Sequence, residues 1–473
     1  MKLLFVTSEA NPFAASGGLG DVMGALPKAI TDENKDIEVD VILPLYNTMK
    51  EEYRKKLKKV ADISFNLSWR STGATVYKIK SGKVNYLFVE NHYYFDRERL
   101  YGEWDDGERF AFFSKAVVEY ILQTKSIPDV LHANDWQCAL AVIYLKTLYS
   151  QNEVLQKVKT LYTIHNIEYQ GKYGLEILSD LFGLGSEHKS IVEYDGCINL
   201  MKGAITVSDL VSTVSPNYAR ELKDDFFAFG LAPIIRSAEY KMHGVINGID
   251  YDYFSPKNTD IAFTYDKESL SEGKAKNKAA LQEKLGLKKE PDTPLISMIT
   301  RLTAGKGIDL VLDVLEGLLS KNVQLVILGT GDKEYEDKLS EIASRHTNFS
   351  ALIKFDRVLS KEIYAASDIF LMPSKSEPCG LAQMIACSYG TVPIVRAVGG
   401  LEDSIIHYGN EKSNGFKFAN FDSTALWYAL EEALRVYSSK EEFDRLRNQS
   451  YDSDFTWGIS ASKYITIYNN LLK

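Results

Sequence analysis

Only four cysteines occur in the 473 residues, Cys138, Cys197, Cys379 and Cys387, and no two have C-x-x-C spacing. That pattern argues against a disulfide framework or a cysteine zinc site and predicts scattered reduced thiols. No stretch approaches the ~20 apolar residues of a membrane span. The short apolar run after Lys2 is interrupted by Glu9, too soon for the apolar region of a signal peptide, so a cytoplasmic location is expected and no membrane partner. A strongly basic stripe is also missing. The 55 Lys and Arg are outnumbered by 64 Asp and Glu, giving a formal net charge of −9, which argues against a nucleic-acid surface. A neutral polymer would not be repelled by this charge, whereas an anionic substrate would need its own positive pocket. There is no short internal repeat and no low-complexity tail. A hydrophobic content of 45% with 25% charged residues is that of a globular chain, and its length predicts two or three domains.

What is present is an alternation of apolar runs and helical periods. Leu3–Val6 reads as a buried parallel strand. It enters the loop Ser8-Glu9-Ala10-Asn11-Pro12-Phe13-Ala14-Ala15-Ser16-Gly17-Gly18-Leu19-Gly20-Asp21-Val22, after which Val22, Leu26, Ala29 and Ile30 recur at helical spacing. Gly17 and Gly18 allow a ligand close to the backbone, and the following helix N-terminus presents amides that favour an anion. This is neither the dinucleotide fingerprint nor a Walker loop. Strands are predicted at Val39–Leu43, Val130-Leu131, Val158–Ile164 and 211–214, with a hairpin excursion over 60–90 and a helix over about 108–123.

Turn signals at Asn247-Gly248 and Ser255-Pro256 mark a hinge near 248–258, followed by a polar segment, 257–290, of weak strand character. A second βα series follows, with strands at Leu295–Ile299, Val323–Leu328, Leu352–Phe355, Ile369–Met372 and Val392–Val395. The expected architecture is α/β, two doubly wound domains, residues 1–247 and 248–456. Ligands of such sheets sit beyond the carboxyl ends of strands, so facing sheets place the site in a cleft between them. Arg301 and Lys306 share the loop after Leu295–Ile299, where two cations suit a departing diphosphate. Glu377 follows Ile369–Met372, just before the amides of Gly380 and Leu381, where a carboxylate can hold sugar hydroxyls or stabilise the helix end.

With these residues the chain resembles the starch synthase and bacterial glycogen synthase family of retaining glycosyltransferases. The resemblance is carried by Ser16-Gly17-Gly18-Leu19-Gly20-Asp21-Val22, His132-Ala133-Asn134-Asp135-Trp136, Thr163-Ile164-His165-Asn166-Ile167 with Tyr169-Gln170-Gly171, Asn247-Gly248-Ile249-Asp250, Arg301 to Gly307, and Glu377 to Gln383 with Gly399-Gly400-Leu401. It implies a GT-B architecture of two Rossmann-like domains, an acceptor-side first domain and a nucleotide-sugar-binding second, with the last helix, from 457, crossing back to the first. It also implies transfer of glucose from ADP-glucose to the 4-OH of a non-reducing α-1,4-glucan end, in glycogen synthesis. The same mapping gives catalytic roles to Arg301, Lys306, Glu377, His165 and Asp135. It gives substrate contacts to Glu9, Ser16, Gly17, Gly18, Asp21, Asn247, Phe355, Cys379, Gly380 and Leu381, with Phe355 against adenine. No cofactor and no metal are implied, and the molecule is a monomer or a homo-oligomer.

Two positions depart from the family pattern. Ala15 stands where the family has a lysine that touches the diphosphate, so backbone amides with Arg301 and Lys306 are expected to suffice. Ile385 stands where wider GT-B families carry a second acid, an absence shared by bacterial glycogen synthases. Asp250-Tyr251-Asp252 has a metal-type D-x-D spacing, but it lies at the predicted hinge, and the two cations of the Arg301–Lys306 loop make a divalent ion unnecessary. Alternatives that the sequence leaves open are an α-glucan phosphorylase, a small-acceptor glycosyltransferase, a packed structural role for His165, a loop-ordering role for Asp135, a core position for Phe355, and a non-catalytic glucan-binding protein.

Overall fold

The computed structural model describes residues 1–473. The chain divides into two compact units, Met1–Val245 with Trp457–Lys473, and Ile246–Thr456. No helix is long and apolar enough to cross a membrane.

In the first unit the apolar runs become β1 (Lys2–Val6), β2 (Glu38–Pro44), β3 (Lys58–Leu67), β4 (Arg70–Ser81), β5 (Val84–Glu90), β6 (Val130–Asn134) and β7 (Lys159–Ile164). Short strands β8 (Lys172–Tyr173), β9 (Glu193–Tyr194) and β10 (Cys197–Asn199) form a separate small sheet, and β11 (Leu210–Thr213) and β12 (Met242–Gly244) complete the main one. The main sheet has the order β12-β11-β7-β6-β1-β2-β5-β4-β3. It is parallel except that β3, β4 and β5 pair antiparallel, which is the predicted hairpin excursion. From β1 the chain first builds outward through β2, then returns to the other side of β1 with β6. The gap between β1 and β6 is therefore the topological switch point, where strand-end loops diverge and leave room for a ligand. The helix Trp457–Leu471 packs on the helix Gly18–Glu33 within this unit, and Tyr468 shares a hydrogen bond of 2.8 Å with the buried His132 ring.

The second unit is a parallel sheet of β13 (Leu295–Ile299), β14 (Gln324–Gly329), β15 (Phe349–Ile353), β16 (Ile369–Met372), β17 (Val392–Arg396) and β18 (Phe416–Phe418). Its order is β15-β14-β13-β16-β17-β18, so its switch point lies between β13 and β16. Alternate residues of each strand face opposite layers. Ile296 and Met298 pack with Val311, Leu315 and Leu430, whereas Leu295, Val326 and Leu328 pack with Leu281, Leu359 and Ile363. Both faces are thus covered by helices, the condition under which continuous apolar runs form parallel strands.

Two readings of the sequence need correction here. The segment 257–290 is not merely a polar connection, because Leu270–Leu285 is a helix of 16 residues. The strand placed at Leu352–Phe355 runs instead over Phe349–Ile353, which leaves Phe355 beyond its end and 79% exposed, not in a core.

Candidate functional site

Each unit carries a cluster at its own switch point. In the first, the loop after β1, Asp135 after β6 and His165 after β7 all follow the carboxyl ends of adjacent strands. Glu9 is buried and organises the loop. Its Oε2 accepts the Ser16 amide at 2.6 Å and the Gly17 amide at 3.1 Å, and its Oε1 accepts the Ser16 hydroxyl at 2.8 Å and a short bond from the Tyr101 hydroxyl. The amides expected to receive an external anion are thus satisfied, for Ser16 and Gly17, by the protein's own carboxylate. A charge-assisted acceptor shared by these donors is strong. Glu9→Gln replaces one acceptor oxygen by a donor and is expected to cost about 1–3 kcal/mol of unfolding free energy, read in a denaturant titration. Asp21, exposed on the first turn of the helix, accepts a short bond from the Asn11 amide group. A Cβ added at Gly17 or Gly18 would meet nothing within 4 Å. Gly17 is extended at φ −159°, so the protein's own packing does not demand a glycine there.

Asp135 has φ +56° and ψ 178°, a region essentially reserved for glycine. The surroundings hold it there: its Oδ1 accepts the His165 amide at 2.7 Å and the Asn166 amide at 3.5 Å. Burial pushes its carboxyl up to about 7, against the lowering effect of those amides. Burial pushes the His165 ring down to about 3, so it is neutral at neutral pH. Its Nε2 lies 2.9 Å from Asn134 Oδ1, whose amide nitrogen donates to Val6 and His132 carbonyls. The proton therefore sits on Nε2, leaving Nδ1 as an acceptor.

An aspartate whose folded pKa is raised binds its proton more tightly folded than unfolded. The stability this group contributes is fully present below its ordinary value near 3.8 and is lost as pH rises to about 7. Asp135→Asn keeps an acceptor oxygen and the same branching at Cβ, so it adds no backbone strain while removing the buried charge, and its Tm should exceed that of the unsubstituted protein near pH ~8. The gain should shrink as the pH is lowered toward ~4, and thermal melts at both values check it. An equal difference at both would show a normally titrating carboxyl.

In the second unit, Arg301 and Lys306 follow β13 and Glu377 follows the neighbouring β16. The two loops are bonded together: the Lys375 amide donates to the Gly305 carbonyl at 3.0 Å. Gly307 adopts φ +75°, and a Cβ there would lie 2.2 Å from the Pro373 carbonyl oxygen, so only glycine permits this approach. The result is an ion pair of 2.6 Å between Lys306 Nζ and Glu377 Oε2, which also accepts the Ser374 hydroxyl at 3.1 Å. Glu377 therefore spends one oxygen on these partners rather than on the helix end. Arg301, on the same loop as Lys306, is exposed. Cys379 is buried, which pushes its thiol up to about 12, and it accepts the Asn247 amide. It is no nucleophile in this state. The buried Asn247 side-chain oxygen has no partner. The Gly380 backbone is buried and Leu381 half-buried, leading into the helix Ala382–Ser388. Phe355 stands apart beyond β15, with the Arg357 guanidinium 5.8 Å from its ring. Asp250 accepts the Asp252 and Tyr253 amides at 2.9 and 3.0 Å, a turn, and no group of three or more His, Cys, Asp or Glu is placed to hold a metal ion.

The structure thus gathers Glu9, Ser16, Gly17, Gly18, Asp21, Asp135 and His165 in one unit. It brings Arg301, Lys306, Glu377, Asn247, Cys379, Gly380 and Leu381 together in the other. Sequence reasoning missed Tyr101, Asn134 and Ser374 as partners of these residues. Asn134 lies inside a quoted motif and Ser374 just before one, but nothing local links Tyr101 to Glu9.

Comparison with known proteins covers the whole chain. Residues 2–237 match the family model for the starch synthase catalytic domain, and residues 280–451 match that for glycosyl transferases group 1. Glycogen synthase of Clostridium novyi (strain NT) is 43% identical over 481 residues, covering 100% of this chain and 99% of that one. Glycogen synthase of Lactococcus lactis subsp. lactis (strain IL1403) is 44% identical over 479 residues, covering 100% of both. Among solved structures, the catalytic domain of Starch Synthase IV from Arabidopsis thaliana bound to ADP and acarbose aligns with a TM-score of 0.89 and 32% identity over 99% of both chains. Sucrose-phosphate synthase from Thermosynechococcus elongatus shares the fold at a TM-score of 0.61 and 16% identity, over 99% of this chain and 98% of that one.

Proposed function

The chain belongs to the starch synthase and bacterial glycogen synthase family of GT-B glycosyltransferases, and on that premise we propose that it elongates glycogen in the cytoplasm. It transfers glucose from ADP-glucose to the 4-OH at the non-reducing end of an α-1,4-glucan, with retention. The observation that carries the reading is the Lys306–Glu377 pair, whose lysine shares its loop with Arg301, at the switch point of the second sheet.

Cleaving a glycosyl phosphate leaves positive character on the sugar and negative charge on the departing diphosphate. The need is for fixed cations at the leaving group and for exclusion of water, more than for a strong base. Arg301 and Lys306 supply the cations. Glu377 fixes the ammonium of Lys306 through one oxygen and has the other available for a glucose hydroxyl. The unpartnered oxygen of Asn247 is a further acceptor for the sugar. In the first unit, the neutral His165 and the Glu9-braced loop with its bare Gly17 and Gly18 serve the sugar and diphosphate. Asp135 is tied to the His165 amide and orders that loop end. Same-face attack then lets a leaving phosphate oxygen accept the proton of the glucan 4-OH, and no protein nucleophile is required. Phe355 offers an exposed ring for adenine. The ADP and acarbose in the Arabidopsis protein are consistent with a nucleotide and a glucan-like ligand here.

A radiolabelled ADP-glucose assay with glycogen primer tests this directly, with UDP-glucose alongside. Label in precipitated polymer, faster from ADP-glucose, is the expected result. Glucan binding without incorporation would instead identify a non-catalytic binding protein. Incorporation only into small sugars would identify a small-acceptor enzyme.

A further inference from the structure

A cavity of about 870 Å³ lies at the opposite end of the second sheet from the Lys306–Glu377 pair. Pro294, Val323 and Asp368, which immediately precede or adjoin the starts of β13, β14 and β16, line it. Arg301 and Glu377 lie past the other ends of β13 and β16, one strand length away. A strand of this length spans roughly 16 Å at about 3.3 Å per residue, so the cavity is separate from the donor loops.

Its wall is charged, and the charges do not cancel. Asp368 is buried, and although burial alone would raise its carboxyl, Lys278 and Arg447 hold it below the ordinary range. Lys278 Nζ donates to Asp368 at 2.7 Å, and Arg447 donates to Asp368 at 3.0 Å and to Asp444 at 2.9 Å. Lys321 pairs with Glu431 at 3.3 Å. These pairs account for three basic and three acidic wall residues. Lys274, Arg435 and Lys440 remain, against the exposed Asp292 alone. Lys274 is 2% exposed and has no carboxylate partner. It donates to the Tyr364 carbonyl at 2.9 Å and the Thr391 hydroxyl at 2.6 Å, two of the three bonds an ammonium can make. A buried amine without a counter-ion is costly, and an anion in the cavity offsets that cost. Arg435 and Lys440 stand exposed at the rim. The helix Lys440–Tyr451 also starts there, but its first turn carries Glu441 and Glu442, so its amide end is already complemented by the chain's own acids and adds nothing to the site.

We propose that this cavity is a binding site for a small phosphorylated organic molecule. Burial, with Arg447 and Lys278 nearby, pushes the Lys274 amine well below its ordinary range; an anion beside it restores its proton, and Lys274, Arg435 and Lys440 against Asp292 then give two surplus positive charges, which match a phosphate dianion. The volume exceeds what inorganic phosphate alone needs and falls within the range of small-molecule sites. Leu434, Tyr437 and Phe443 give the remaining wall an apolar face for the organic part.

The test uses the full-length Lys306→Ala protein, which weakens phosphate binding at the donor loops, titrated calorimetrically with ribose 5-phosphate, glucose 6-phosphate and AMP. At least one is expected to bind with a millimolar or tighter Kd. Adding Arg435→Glu with Lys440→Glu, two exposed changes that leave the fold intact, should weaken it at least about tenfold. Lys274→Met should weaken it similarly; should that buried variant not fold, the rim pair alone decides. Inorganic phosphate and ribose should each bind at least about tenfold more weakly than the phosphorylated probe. No binding by any of the three, binding untouched by charge reversal at the rim, or inorganic phosphate binding as tightly as the best organic probe would each overturn the proposal.

Discussion

Replacing Lys306 by alanine is expected to lower turnover by about 10²–10³, the loss typical of removing one preorganised transition-state donor. The ammonium is held by a 2.6 Å bond to Glu377, which the Ser374 hydroxyl also contacts, so it needs no reorganisation when charge develops on a departing diphosphate. Its loop is shaped by Gly307 and by the Lys375–Gly305 backbone bond, neither of which uses the lysine side chain. The backbone should therefore persist in the variant. Lys306→Arg, which keeps the charge but changes head-group shape, should recover part of the loss. Steady-state kcat with glycogen and ADP-glucose, beside a thermal melt, checks both. Turnover within a few-fold of the unsubstituted enzyme, with folding intact, would remove Lys306 from the leaving-group role.

Those parts of the molecule that announce themselves locally were legible in the sequence. Strands buried on both faces need near-continuous apolar residues; Leu3–Val6 and Ile369–Met372 are such runs, and Leu295–Ile299 is broken only by the buried Ser297. The loops that follow them hold the motif residues, because a parallel sheet presents its ligand-binding loops at one end. The helix Leu270–Leu285 escaped for a physical reason. Its buried positions do recur at helical spacing, but they are occupied by Lys274, Asn277, Lys278 and Gln282, whose polar heads are satisfied inside. Periodicity of apolar residues cannot see a polar inner face. The edge strand β15 slipped because it pairs only with β14 and is mostly half-buried, so its pattern is weak. Phe355 moved out of the strand, and out of any core, for the same reason. At the site, the motifs located both clusters, but not that Glu9 would consume the amides of Ser16 and Gly17. That contact is closed partly by Tyr101, 92 residues away, and no local signal encodes it.

The sharpest separation of roles comes from Glu377. Glu377→Gln is expected to lower turnover by about 10²-fold, through two effects. The glutamine turns its one oxygen to the Lys306 ammonium and the Ser374 hydroxyl, so the anchor survives only as a neutral acceptor without charge assistance. The position left for a sugar hydroxyl then holds an amide donor in place of a charged acceptor. The two effects part in a double-mutant cycle with Lys306→Ala. If Glu377 acts chiefly by positioning Lys306, the double variant should be little slower than Lys306→Ala alone. If its main contact is with the glucose, the losses in kcat should multiply. The larger share is expected on the positioning side, because one carboxylate oxygen already carries both Lys306 and Ser374. The cycle should therefore show losses well short of their product, with a donor KM in Glu377→Gln that follows the same trend as in Lys306→Ala. Losses that multiply fully would assign Glu377 to the sugar and leave Lys306 held by its loop alone.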